Sequence, residues 1–275
     1  LIKTFHIKSP GGWDYITINE NSNRVYMSHA TQVNIIDKFT GDSLGVITNT
    51  NGVHGITFAN ELNRGFTSNG KDNSITVFDL TTNNYIMNIP VGENPDAIFY
   101  EPISKKVITC NGKSKNLSII DPINNKLIES IPVGGKPETA VSDLHGFIYV
   151  NIEDKNEIVK INIKNNQLVD HWSLEPDEEP RGLAIDTKNH RLFANTNKHL
   201  IVLDSKNGKI IQRLEIGNGC DGVAYDNTYK YIYTSNGEGT MTVIKEISAN
   251  KFEVIENVKT KKGAVITTPY FKLVI

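Results

Sequence analysis

A short pattern of β-forming residues recurs about every 42 residues along most of this chain, and this repeat limits the folds open to it. One part of the pattern, rich in Val, Ile, Tyr and Thr, is found at 24–34 (RVYMSHATQVN), 64–69 (RGFTSN), 106–111 (KVITCN), 147–151 (FIYVN), 191–196 (RLFANT) and 231–236 (YIYTSN). A second part ends in a turn at Asp37, Asp79, Asp121, Asn162, Asp204 and Lys245, at spacings of 42, 42, 41, 42 and 41 residues. A period near 42 is typical of a four-stranded propeller blade.

Four short strands fit within each repeat. In the third repeat they are predicted over 96–100, 106–111, 116–121 and 127–132, and turn-forming residues such as those of 121–125 separate them. No segment of useful length has the 3.6-residue periodicity of a helix. The sequence therefore predicts an all-β protein, a seven-bladed β-propeller of four-stranded antiparallel blades in which 1–275 form a single domain.

Six repeats are complete, and the seventh blade is predicted to be shared by the two ends of the chain. Residues 1–7 (LIKTFHI) match the outer-strand pattern of 127–133 (LIESIPV), while 264–275 would supply an inner strand and then FKLVI as a third strand. Joining the ends in this way removes the open edges of a linear stack of sheets. Because this blade is about one strand short of the period, we predict missing residues between about 264 and 270.

Composition excludes several classes of protein. Hydrophobic residues at 38% and charged residues at 22% are ordinary for a globular chain, and no run approaches the ~18 to 20 apolar residues of a membrane span. A formal net charge of -2 gives no global positive field for nucleic acid. Two cysteines, Cys110 and Cys220, are too few for a disulfide framework, and they fall in separate repeats.

Two segments match catalytic or cofactor motifs but lie in the wrong structural context. Residues 41–45 (GDSLG) match the nucleophile elbow, which needs a strand, a sharp turn and a helix, yet they fall on a predicted hairpin. Residues 217–222 (GNGCDG) match the dinucleotide fingerprint, but a strand follows where a helix is required. The sequence therefore assigns no catalytic residue, and it leaves any cofactor or metal unknown.

Polar residues of unlike chemistry occupy equivalent positions at the start of the predicted inner strands. The first strand of each propeller blade lines the central channel, so these positions converge on one channel mouth. We therefore predict a ligand-binding site there, formed by Trp13, Asp14, His54, Asp96, Glu138, Arg181 and Asp221. Loops predicted on the same face carry Lys71, Asp72, Lys113, Lys115, Asp154, Lys155, Lys198 and Glu238.

Three interpretations of this ring remain open. It is a hydrated mouth whose carboxylates cap turns, or a recognition site in which Arg181 clamps an acid and Trp13 supplies an apolar face. In the third interpretation the ring carboxylates hold a hard cation for a lactonase or lyase, with His54 as general base. Cys220 lies beside the ring, and without a lowered pKa it is interpreted as a plain free cysteine.

Residues 89–111 (IPVGENPDAIFYEPISKKVITCN) and 131–143 (IPVGGKPETAVSD) resemble the consensus of the YVTN-repeat family. They share its Ile-Pro-Val-Gly, its Pro before the inner strand and its Tyr-Val-Thr-Asn core strand, and the resemblance extends over essentially the whole chain. It is specific to the repeat and not to an activity. Resemblance to YncE-like and surface-layer-associated propellers implies an extracytoplasmic location, periplasmic or at the cell surface. Leu1 falls inside a predicted strand, so we expect any leader sequence to have been lost. Some such relatives are linked to DNA or to redox partners.

The leading hypothesis is a non-enzymatic binding or interaction propeller, monomeric and without a membrane span. It recognises an unknown small polar ligand or a protein partner at the channel mouth. The first alternative is a metal-dependent propeller enzyme of the lactonase or lyase type that uses the mouth carboxylates. The second alternative is a DNA-binding extracytoplasmic propeller, which the overall charge does not support.

Overall fold

Strands and tight turns make up nearly all of the structure, a computed structural model that describes residues 4–7, 9 and 11–263. The strands of the first three sheets are β1 (Trp13–Ile18), β2 (Arg24–His29), β3 (Gln32–Asp37), β4 (Ser43–Ile47), β5 (Val53–Ala59), β6 (Arg64–Asn69), β7 (Ser74–Asp79), β8 (Tyr85–Pro90), β9 (Pro95–Glu101), β10 (Lys106–Asn111), β11 (Asn116–Asp121) and β12 (Lys126–Pro132). Two short 3-10 helices cover Asn60–Leu62 and Glu153–Lys155. No described helix has the length and apolar character needed to cross a bilayer.

Three further sheets follow in the same manner. Their strands are β13 (Pro137–Ser142), β14 (Phe147–Ile152), β15 (Glu157–Asn162), β16 (Gln167–Ser173), β17 (Leu183–Asp186), β18 (Arg191–Asn195), β19 (His199–Asp204), β20 (Ile210–Glu215), β21 (Cys220–Asp226), β22 (Tyr231–Asn236), β23 (Thr240–Ser248) and β24 (Lys251–Lys259). Each sheet is a four-stranded antiparallel meander in which strands adjacent in sequence pair. The all-β prediction and the four strands of each repeat are confirmed.

The described residues divide into two compact units. The first contains residues up to Tyr100 together with Lys105–Ser114 and Ser118–Ser130. The second contains Glu101–Ser104, Lys115–Leu117 and the residues from Ile131 onward. The prediction of a single domain over 1–275 stays a prediction.

Six sheets are present in the described part of the chain, and the seventh blade stays a prediction. Residues 1–3 and 264–275, to which that blade was assigned, lie outside the described residues, as do the residues predicted to be missing near 264–270. Residues 4–7 are described and pair with no strand. Instead, Phe5 and Ile7 pack on Val25, Met27 and Ile36 of the first sheet.

Apolar side chains from neighbouring sheets interdigitate within each unit. In the first unit, Tyr26 and Ile35 of the first sheet pack with Phe78 of the second. Phe66 of the second sheet packs with Val107 of the third in the same way. The second unit repeats the arrangement in clusters around Tyr149 and Phe193, both nearly or fully buried. Strands buried on both faces explain why their sequences read as continuous apolar runs.

An aspartate ends the third strand of several sheets, and its side chain forms the turn that follows. Asp37 Oδ1 accepts the backbone N–H groups of residues two and three positions later, at 2.8 and 2.9 Å. Asp79 and Asp121 do the same. These Asx turns explain why an aspartate recurs at the end of the third strand in successive repeats.

A buried polar side chain in the second strand of several sheets bonds to the inner strand of the next sheet. Ser68 Oγ accepts the Gly55 N–H at 2.8 Å and donates to the Asp96 carbonyl. In the second unit, Asn151 Nδ2 donates to the Arg181 and Gly182 carbonyls and Asn195 Nδ2 to the Cys220 carbonyl, at 2.9 to 3.0 Å. These bonds help to satisfy backbone groups in the inner strands, or just before them.

We expect Ser68→Ala to lower the free energy of unfolding by about 1 to 3 kcal/mol, because it removes a partner from the Asp96 carbonyl and from the Gly55 N–H. Urea denaturation followed by circular dichroism measures the change. The control is Ser43→Ala, an exposed serine of β4, with an expected change below about 0.5 kcal/mol. Equal effects of the two substitutions would contradict the role given to Ser68.

The turn aspartates predict a pH-dependent contribution to stability. The backbone N–H of Thr82, aided by its hydroxyl and by the Thr81 N–H, lowers the pKa of Asp79. A lowered folded-state pKa contributes stability that is present above about pH 4 and is lost as the pH falls through the folded-state pKa. Asp79→Asn keeps a side-chain oxygen for the turn, as Asn162 does for Lys164. The stability difference between wild type and Asp79→Asn should therefore shrink between pH 7 and pH 3 in denaturant titrations; a constant difference would contradict this.

Candidate ligand-binding site

A β-bulge lies at the start of most inner strands. In β1, β5, β13 and β21, the pairing with the second strand of the sheet shifts register immediately after the first residue. These shifts contain Asp14, His54, Glu138 and Asp221. A bulge breaks the strict alternation of side chains and redirects the bulged residue. The predicted site residues thus occupy positions at which the backbone itself changes direction.

Asp14, His54 and Asp96 lie close together in the first unit. His54 Nδ1 lies 2.5 Å from Asp14 Oδ2 and 3.9 Å from Asp96 Oδ1. The Tyr15 hydroxyl donates to Asp96 Oδ1 at 3.0 Å. All three site side chains are partly exposed. Two carboxylates therefore flank one imidazole, and Asp14 and His54 line a pocket.

This pocket has a volume of about 380 Å³. It is lined by Gly12, Trp13, Asp14, Ala30, Gly52, Val53, His54, Gly70, Lys71 and Asn94. Its polar groups thus include a carboxylate, an imidazole, an ammonium and an amide, and its apolar surface includes an indole. A small cavity with a few convergent polar groups is the usual form of a small-molecule site.

A run of backbone hydrogen bonds builds one wall of the pocket. The Ala30 N–H donates to the Gly12 carbonyl at 3.2 Å, the Gly52 N–H to the Ala30 carbonyl at 2.9 Å, and the Gly70 N–H to the Gly52 carbonyl at 2.8 Å. None of these four residues has a side chain larger than a methyl group. The wall is therefore held in place by the backbone, and the space in front of it is left open.

Two of these glycines are needed for the shape of the pocket. A Cβ atom at Gly70 would lie 2.7 Å from His54 Nε2, so the imidazole occupies the space that a side chain would take. Gly52 has a φ of +66°, and its Cβ would lie 2.9 Å from the Lys71 backbone nitrogen. By contrast, a Cβ at Gly12 would meet nothing within 4 Å.

Trp13 and Lys71 supply the other functional groups of the pocket. The Trp13 side chain is 42% exposed, and its ring contacts the buried His29 ring at a centroid distance of 4.6 Å. Lys71 is exposed, and within the described residues it forms no ion pair. Its stem lies against Gly52. The pocket therefore presents an aromatic surface and an uncompensated cation.

The remaining three site residues lie in the second unit, within a network of ion pairs. Arg181 Nη1 is 3.3 Å from Asp221 Oδ1, and Arg181 Nε is 3.3 Å from Glu153 Oε1. Lys136 Nζ contacts Glu153 and lies 2.5 Å from Glu138 Oε1. Lys136 and Glu153, neither of which the sequence predicted, thus link Glu138 to Arg181 and Asp221.

Charge compensation in this network shifts three pKa values. Burial alone would lower the pKa of Lys136, but its bonds to Glu138 and Glu153 raise it above the usual value. Burial opposes the ionised form of Glu153, yet the bond to Lys136 and the charge of Arg181 lower its pKa. Burial likewise opposes the charge of Arg181, and Asp221 with Glu153 raises its pKa. Each charge is stabilised by a neighbour, so the network is self-complementary.

Cys220 is not an activated thiol. It is buried in β21, and burial, with the nearby charge of Asp221, raises its pKa to about 12. A thiol with a raised pKa forms little of the reactive thiolate. Cys110 is also buried and free. No group of three or more His, Cys, Asp or Glu side chains in the described ranges is arranged to hold a metal ion.

The structure thus brings the predicted residues together in two groups, one in each unit, and the single ring of six stays a prediction. Arg181 precedes its inner strand, since β17 begins only at Leu183. Sequence reasoning missed Tyr15, Asn94, Lys136 and Glu153. Asn94 and Lys136 carried a usable signal, because they lie two positions before Asp96 and Glu138 at the entries to β9 and β13.

Comparisons with known proteins show the fold alone. No family model matches the chain, and no curated protein matches it. A hydrazine synthase structure from Kuenenia stuttgartiensis superposes with a TM-score of 0.83 at 16% identity, covering 97% of this chain and 92% of that one. The crystal structure of a functionally unknown protein from Desulfotomaculum acetoxidans DSM 771 superposes with a TM-score of 0.78 at 12% identity, covering 90% and 82%. The chain therefore has the all-β architecture of these proteins.

Proposed function

We propose that this chain is a binding protein with a seven-bladed β-propeller fold of the YVTN-repeat, YncE-like kind, which recognises a small polar ligand in the pocket of the first unit. The 42-residue period and six similar four-stranded sheets support the propeller. Residues from the two ends of the chain would complete the seventh blade. The resemblance of its repeats supports an extracytoplasmic location.

The observation that carries the proposal is the pocket lined by Asp14 and His54, with Asp96 Oδ1 3.9 Å from His54 Nδ1. Its wall is fixed by backbone hydrogen bonds, so little conformational freedom is lost when a ligand binds. Its polar groups differ in charge and hydrogen-bonding capacity, which favours recognition over mere hydration. A rigid cavity with unlike polar groups is suited to binding one small molecule in one orientation.

A metal-assisted lactonase or lyase is the second candidate. The contact between His54 Nδ1 and Asp14 Oδ2 supports its general base, because a carboxylate that orients an imidazole is the usual arrangement of one, but no group of side chains among the described residues supports its metal ion. The DNA-binding alternative gains nothing from the pocket, where the Asp14 carboxylate offsets the charge of Lys71, and a net charge of -2 opposes it.

We expect Gly12→Leu to abolish ligand binding without unfolding the protein, because the new side chain enters open space at the pocket wall. The full chain is screened by thermal shift against organic cations, carboxylates, phosphates, zwitterions, Ca²⁺, Mg²⁺ and Mn²⁺. A ligand at 100 times its Kd should stabilise wild type by about 2.7 kcal/mol. The same ligand should leave the Tm of Gly12→Leu unchanged.

Ser43→Leu, which also adds an exposed leucine in the first unit, is the matched control and should respond as wild type does. Stabilisation by a metal ion that disappears in Asp96→Asn would support the enzyme instead. Retention on DNA that weakens steeply with salt would support the nucleic-acid alternative. A ligand that stabilises wild type and Gly12→Leu equally would contradict the proposed site.

A further inference from the structure

We infer that the ligand of this pocket is a small zwitterion, with an ammonium group held by Trp13 and Asp14 and an acidic group held by Lys71. This inference rests on the proposed binding function and adds the chemical class of the ligand. It follows from the three side chains that line the pocket with unlike chemistry, namely the Trp13 indole, the Asp14 carboxylate shared with His54, and the Lys71 ammonium.

The cationic group of the ligand fits beside Trp13. The indole is 42% exposed and lines the pocket next to the carboxylate of Asp14. An aromatic face and a carboxylate together favour an ammonium or quaternary ammonium group, since the ring quadrupole and the negative charge attract the same cation. The ring contact with His29 at 4.6 Å holds the indole in place.

The acidic group of the ligand fits beside Lys71. Lys71 lines the same pocket and lies outside every ion pair of the described residues, whereas the neighbouring Asp72 accepts a hydrogen bond from Asn51 at 2.7 Å. The corresponding loop of the third sheet differs, because Lys113 lies 3.5 Å from Glu93. Lys71 can therefore form an ion pair with an acidic group of the ligand. The Asn94 amide, which lines the same pocket, can donate a hydrogen bond to that group.

Summed charge also favours a ligand of low net charge. The charges of Asp14 and Lys71, which line the pocket with His54, sum to zero when His54 is neutral, and Asp96 adds a second negative charge 3.9 Å from His54 Nδ1. A dianion would find only one lysine to balance it, and a simple cation would leave Lys71 without a counter-charge. A volume of about 380 Å³ lies at the lower end of small-molecule sites, which suits a molecule of amino-acid size.

Isothermal titration of the full chain with matched probes tests the inference. One set is L-alanine, ethylamine and propionate, and the other is glycine betaine, tetramethylammonium and acetate. In at least one set, we expect the zwitterion to bind about tenfold more tightly than the cation, and the anion to bind least, because one charge-assisted contact is worth about a factor of ten. Binding should also change the fluorescence of Trp13.

Three variants assign the two ends of the ligand. Lys71→Met should weaken the zwitterion about tenfold and leave the cation unchanged, while Asp14→Asn should weaken both. Lys113→Met, which removes a lysine from the corresponding loop of the third sheet, should change neither. Equal affinity for zwitterion and cation, unaffected by Lys71→Met, would overturn the inference.

The outcomes separate this inference from the proposed function. A phosphate, carboxylate or uncharged ligand whose binding is lost in Gly12→Leu would overturn the zwitterion and leave the binding function standing. If no ligand in the screen loses its binding in Gly12→Leu, both the zwitterion inference and the proposed binding function are overturned. Binding of a zwitterion that Gly12→Leu abolishes and Lys71→Met weakens supports both.

Discussion

Hydrogen bonds between turns of neighbouring strands and sheets are the constraint on which the candidate site depends. In the first unit, Gly12, Ala30, Gly52 and Gly70 form one run of backbone bonds of 2.8 to 3.2 Å. The second unit has a similar run, in which the Gly219 N–H donates to Asn197 and the Gly237 N–H to Gly219. Each of these bonds satisfies a turn amide that sheet pairing cannot reach. The turns are thereby fixed, and so are the inner-strand residues beside them.

Most of the fold could be predicted from sequence because each repeat carries its own local signals. Asp79 and Asp121 mark the ends of third strands since their side chains cap the turns that follow, and short apolar runs mark strands buried on both faces. Arg181 was harder to place. The loop between β16 and β17 has nine residues, whereas the loop between β8 and β9 has four. The buried Asp177 fixes the longer loop through ion pairs with His199 and Arg213. Such contacts between distant residues leave no spacing signal.

The same strand position is used differently in the two units. In the second unit, two cations, Lys136 and Arg181, form ion pairs with the carboxylates at the start of the inner strands and with Glu153. These contacts raise the pKa values of Lys136 and Arg181 and lower that of Glu153, so that all three charged forms are favoured. In the first unit, glycines stand where such cations would have to approach, and Lys71 is not engaged by a carboxylate. Sequence alignment of the repeats could locate both sets of carboxylates. It could not show that Asp14 borders a pocket.

Why the first unit keeps an open cavity can be argued from its glycines. A side chain at Gly12 would meet nothing within 4 Å, so close packing does not exclude one there. Glycine also loses more conformational freedom on folding than other residues, which makes an unconstrained glycine at a turn a cost to stability. Gly52 and Gly70 have steric reasons to be glycine, namely a positive φ and the His54 ring, but Gly12 has neither. Gly12 therefore keeps space open beside Trp13 and Asp14 at a cost in stability. We expect such a cost where a site has been selected to bind a ligand.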